Sequence, residues 1–121
     1  MALKPKIINE FGNTPYFLRD AVNLEYTVGN PVLDGSKFQN EQVVKAGTAI
    51  SKNKDTGLFE LVTDNTTDLV APVLTANDVT VYQNENQEVS AVRKASVYEE
   101  LCTGVTQAFK DAVQGRIVFD V

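Results

Sequence analysis

The stretch EVSAVRKASVYEELCTGVTQAFKDAVQGRIVFDV, Glu88 to Val121, decides how this chain closes into a domain. It reads as a strand over 88–95, a connecting turn, one amphipathic helix and a closing strand over 116–121. Val105, Ala108, Phe109, Ala112 and Val113 fall at i, i+3, i+4, i+7 and i+8, a single apolar stripe at helical spacing. Thr103 and Thr106 offer hydroxyls to the first unpaired N–H groups of that helix. Gly115 stands where a left-handed residue ends it. Ile117 and Phe119 then alternate with Arg116, Val118 and Asp120, so the period changes from 3.6 to 2. A helix this short is marginal in water and has to dock its stripe on the β-rich segments before it.

Upstream, short strands and turns dominate. Residues 21–28 alternate Val22, Leu24, Tyr26 and Val28 against Asn23, Glu25 and Thr27, the pattern of a half-buried strand. Segments 41–45 and 48–51 flank Ala46-Gly47 as two short strands around a bend. Residues 52–57 form a polar loop, and 58–63 a partner strand. Segment 69–74 is apolar but carries Pro72, which predicts an edge strand or a bulge. A short strand follows over 79–82. The Ser96-x-x-Glu99 spacing predicts a capping box opening one helical turn through Leu101. The expected fold is therefore α+β and β-rich: a small barrel-like or sandwich-like domain of short strands with one main C-terminal helix.

Residues 1–20 differ from the rest. Ile7, Ile8, Phe11, Tyr16, Phe17 and Leu18 are apolar at neither helical nor strand period, and Gly12, Asn13 and Pro15 punctuate them. The reading is an extended N-terminal arm, 1–20, followed by a single β-rich domain, 21–121. Those six apolar residues are the candidate partner-binding set, suited to strand addition at an exposed sheet edge. The bland alternative is an arm that covers its own domain.

Composition narrows the functions. The 121 residues carry a net charge of −5, with 43% hydrophobic and 22% charged residues, as in a folded globular chain. An acidic balance disfavours nucleic acid and anionic membrane surfaces, which need clustered Lys and Arg. No apolar run approaches the length of a membrane span. No secretory signal is visible, and one cysteine, Cys102, allows no intrachain disulfide, which fits a reducing cytosol. Cys102 reads as a small buried hydrophobe.

The absence of histidine from the sequence removes Ser-His-Asp triads, Cys-His dyads and histidine metal sites. Asp64, Asp68, Glu99 and Glu100 remain as an acid/base inventory, but they read as loop and cap residues. Glycines are scattered singly, so there is no phosphate-cradling loop. The expectation is a non-enzymatic chain with no cofactor and no metal site, whose work is attachment.

The order of segments carries a resemblance. Val44-Lys45-Ala46-Gly47-Thr48-Ala49-Ile50 has the form hydrophobic-x-x-Gly-Thr-x-(Ile/Leu) and opens a hairpin continued by Asp55-Thr56-Gly57-Leu58-Phe59-Glu60-Leu61. Val70-Ala71-Pro72-Val73-Leu74 precedes a short strand, and the chain ends helix, Gly115, Arg116-Ile117-Val118-Phe119. Over residues 41–121 this resembles the lambda-type head decoration family, the capsid decoration proteins of tailed bacteriophages. Head-fibre proteins of small phages are similar over the Gly47 hairpin. The resemblance implies homotrimers on the outer surface of the capsid, made in the host cytoplasm, with the major capsid protein as partner and an N-terminal arm joining its sheet. The chain departs from the family in residues 1–40, which are longer and more apolar than a simple flexible arm. The rival reading is a head-fibre or host-surface-binding module. A swivelling carrier domain is disfavoured because Lys45, Lys52 and Lys54 lack the setting of a modified hairpin lysine.

Overall fold

A computed structural model describes residues 17–27, 29–63 and 69–120. Among the described residues, ten strands and one α-helix follow in the order β1 (Leu18–Tyr26), β2 (Val32–Leu33), β3 (Gln42–Val44), β4 (Ala49–Lys52), β5 (Phe59–Leu61), β6 (Val70–Thr75), β7 (Val79–Val81), β8 (Gln87–Glu88), β9 (Ala91–Tyr98), α1 (Gln107–Ala112) and β10 (Ile117–Asp120). Eight strands form one curled sheet in the order β1-β9-β6-β4-β5-β2-β8, with β10 also on β9; β3 and β7 form a separate antiparallel ribbon. The domain is mostly β, with one short helix.

β9 is the hub. It pairs antiparallel with β1 and β6 and parallel with β10, Ile117 standing opposite Ala95 and Asp120 opposite Tyr98. The predicted continuous strand over 88–95 is instead broken at Val89-Ser90. β8 goes to the far end of the sheet beside β2, and β9 starts afresh at Ala91. Ser96 lies mid-strand opposite Asp20 and Val118, so it caps nothing. A 3-10 turn does follow over Glu99–Leu101, but Tyr98 stands at its cap position and gives no side-chain hydrogen bond.

Neighbouring residues of the central strands feed two different cores. Ala49, Leu74 and Val92 belong to one cluster with Phe17, Phe109 and Ile117; Ile50, Val73 and Ala91 belong to another with Leu33, Phe38 and Val81. Because side chains alternate across a strand, a sheet covered on both faces reads as a continuous apolar run. This explains why Pro72 did not hold β6 at an edge. β6 is paired on both sides, with β4 and β9, and its register to β4 slips between Ile50 and Lys52. Ala71, at φ 48°, marks the extra residue of that bulge. Of the two expected outcomes, edge or bulge, the bulge occurs.

The helix docks as its stripe requires. Phe109 and Val113 are fully buried in the first core, and Thr106 caps the start by accepting from Phe109 N at 3.2 Å. Thr103 has another role. Its N–H donates to Gly47 O and its carbonyl accepts from Ala49 N, which straps the 98–104 segment over the Gly47 turn. Gln114 at φ 52° and Gly115 at φ 80° end the helix. Phe119 then meets Phe109 edge to face, with centroids 6.3 Å apart.

Candidate interaction surfaces

The body reaches further back toward the N terminus than the sequence suggested. Ile7, Ile8, Phe11 and Tyr16 lie outside the described residues. Phe17 and Leu18 lie inside them and correct the expected partner-binding set: both are buried in the first core, Phe17 completely. The Phe17 ring sits against the Gly47 turn, and its carbonyl accepts from Tyr98 N at 2.8 Å. Leu18 stands opposite Val97 in the sheet. Neither side chain is available to a partner in this fold. The physical reason is the double-sided core, which needs a large ring where β9 ends and the 98–104 strap crosses.

Carboxylates are dispersed over the described surface. Asp64 and Asp68 lie outside the described residues. Glu99 and Glu100 are exposed, and Glu99 pairs with Lys110 at 2.9 Å, tying the 3-10 turn to α1. Lys110 also lies 5.8 Å from the centre of the Phe119 ring. Asp34 opens the 3-10 turn at Gly35–Lys37, accepting from Ser36 N at 3.0 Å and Ser36 Oγ at 2.7 Å. The Ser36 hydroxyl holds its carboxyl below the ordinary carboxylate value, against the opposing effect of burial. Among the described residues there is no group of three or more His, Cys, Asp or Glu able to hold a metal ion.

Cys102 is half-buried, with Sγ 3.5 Å from Tyr98 O. Burial, reinforced by the Glu99 carboxylate, pushes its thiol up to about 12. That is the chemistry of a structural thiol, not of a nucleophile. Arg116 reaches back from the start of β10 to Arg93 O at 2.8 Å and Pro72 O at 3.3 Å, stitching β9 to the bulged strand. Desolvation, and then the neighbouring Arg93 charge, lower its pKa.

One concave feature lies beside the turn into β9. Tyr26, Asn30, Asn77, Ser90 and Ala91 line a cleft of about 380 Å³. Its floor is fixed from three sides: Thr27 N donates to Ala91 O at 3.0 Å, Ala76 N to Ser90 O at 2.8 Å, and Val89 N to Pro31 O at 2.9 Å. Tyr26 was expected on the core face of β1. The register slips between Glu25 and Tyr26, and both residues are exposed, Tyr26 at 45%. The slip turns an aromatic ring out of the core and onto the cleft wall. Sequence reasoning missed this feature because its walls come from three separate connections, with no shared local signal.

The fold and these surfaces define a small β-rich domain whose curled sheet carries a core on each face. No family model, no curated protein and no solved structure matches this chain.

Proposed function

We propose that this chain is a decoration protein of a tailed-phage head, which binds the outer surface of the capsid and cements neighbouring coat subunits. The reading rests on the order of segments that resembles the lambda-type head decoration family. The observation that best supports it in the fold is the anchoring of the chain at Phe17. A buried ring and a main-chain hydrogen bond hold Phe17 in the core, and sixteen residues containing Ile7, Ile8, Phe11 and Tyr16 precede it in the sequence. An apolar segment preceding a residue anchored in the core suits attachment by strand addition, where main-chain hydrogen bonds supply affinity and side-chain pockets supply register.

The same reading proposes a homotrimer on the shell. Three arms engaging at once raise avidity by about 10²–10⁴ without any new contact. The acidic body, net −5 over the whole chain, faces solvent and repels other particles.

Co-sedimentation with purified undecorated heads tests this. The full chain is expected to pellet with heads, and a variant starting at Phe17 to stay in the supernatant while remaining folded. Undiminished binding by the shortened variant overturns the arm's role. Failure of the full chain to pellet overturns the capsid reading.

A further inference from the structure

We infer that the cleft between Tyr26, Asn30, Asn77 and Ser90 is a binding site for a neutral saccharide. This goes beyond the capsid reading and does not depend on it. The volume of about 380 Å³ falls within the roughly 300–1,000 Å³ of small-ligand sites. Sugars are recognised by chemistry that this lining supplies. An aromatic face packs against the C–H face of a pyranose, and amides and hydroxyls meet its hydroxyl groups as both donors and acceptors.

Four observations converge on that class. Tyr26 is the one aromatic among the described lining residues and is 45% exposed. The Tyr26 phenol, the Asn77 amide and the Ser90 hydroxyl form no hydrogen bond with any other described residue, so their capacity is free for a ligand. None of the described residues lining the cleft is charged, which disfavours phosphate and carboxylate ligands. The charged group tied to a lining residue among the described residues is acidic: Glu88 Oε1, 3.5 Å from Asn30 Nδ2, and it repels anions.

The site is also held in place before any ligand arrives. Ser90 and Ala91 are clamped by main-chain bonds from Ala76 and Thr27, and the preceding Val89 is tied to Pro31, so little ordering is needed on binding. A second groove of about 380 Å³ shares Asn30 and includes Thr27, whose Oγ1 is buried without a hydrogen-bond partner among the described residues. A saccharide of more than one unit can extend past Asn30 into it.

The test uses the ¹⁵N-labelled full chain without heads, so its outcome is separate from capsid binding. It is titrated with the methyl glycosides of glucose, galactose, mannose, N-acetylglucosamine and N-acetylgalactosamine, and with sialic acid as the anionic comparison. At least one neutral glycoside is expected to give saturable amide shifts confined to Asn30, Asn77, Ser90, Ala91 and their neighbours. Tyr26→Ala and, independently, Asn77→Ala are expected to weaken that binding by at least about tenfold, with the rest of the spectrum unchanged. Val43→Ala, at an exposed residue of the separate ribbon, is expected to leave it intact. The inference is overturned if no neutral glycoside gives saturable shifts at the cleft, if binding survives both cleft substitutions, or if sialic acid binds more tightly than every neutral sugar.

Discussion

The Phe17 ring lies 3.1 Å from the position a Cβ would take on Gly47, and Gly47 itself sits at φ 83°. The two residues lock the beginning of the described body to the turn before β4. Leu101 O stands on the same side, 3.3 Å from that position. Gly47→Ala therefore meets both an unfavourable backbone region and a ring that has no room to yield. The expected loss is about 1–3 kcal/mol, read as a lower urea midpoint with an unchanged slope. Phe17→Ala removes a fully buried ring and is expected to lose about 3–5 kcal/mol.

The place where the chain can be shortened follows from the same contact. A variant starting at Phe17 keeps every described core residue and is expected to melt within a few degrees of the full chain. One starting at Arg19 lacks Phe17 and Leu18, both in the first core. It is expected to melt far lower or to be recovered insoluble. Equal melting of the two variants contradicts the assignment of Phe17 to the body.

Asp34 sets a pH dependence at the acid end. Its carboxyl is held below the ordinary carboxylate value, first by the Ser36 hydroxyl. A lowered folded pKa adds stability above the unfolded value, and that stability is lost as pH falls through the folded one. Asp34→Ala is expected to lose about 1 kcal/mol near neutral pH. The gap to the parent chain should narrow below the ordinary carboxylate range in paired denaturation curves. A gap independent of pH would mean that packing, not the ionised cap, carries the effect.

Cys102 sets the alkaline end. With its thiol pushed up to about 12, the folded state favours the neutral form. Stability from this group is complete below the ordinary thiol value and declines as pH rises from there toward about 12. At neutral pH the native chain is expected to react with a disulfide reagent much more slowly than the urea-unfolded chain. Cys102→Ser is expected to flatten the alkaline decline. Equal labelling rates in the two states would refute the burial argument.

Helix capping gives a local check. Thr106 Oγ1 accepts from Phe109 N at 3.2 Å and Thr103 does not cap the helix. Thr106→Ala is expected to lose about 1 kcal/mol, measured as a shift in thermal midpoint. Thr103→Ala, which keeps the main-chain bonds to Gly47 and Ala49, is expected to change it little.

Much of the C-terminal third was legible. The spacing of Phe109 and Val113 placed the docking face of α1, Gly115 marked its end, and the alternation around Ile117 gave β10. These are local signals, each set by a period or by the backbone conformation of one residue. Pro72 pointed to an edge or a bulge, and the bulge occurs. Ser96 misled for the converse reason: Ser96-x-x-Glu99 resembles a cap only until the hub strand claims Ser96. Phe17 and Leu18 looked like arm residues because a ring that completes a core from outside the regular pattern has no periodic neighbours. The Tyr26 cleft had no sequence signal, since one register slip between Glu25 and Tyr26 creates its aromatic wall.

By itself the sequence determined a small β-rich chain with one docked helix, a closing strand and the turn at Gly47, because propensity, period and glycine conformation act over a few residues. Only the tertiary structure decided that β9 is the hub, that β4, β6 and β9 are covered on both faces, and that Phe17 and Leu18 belong to the core. Those outcomes depend on which distant strands share the hydrogen bonds of one another's edges. That choice is settled by the burial of both faces together, not by any local run of residues.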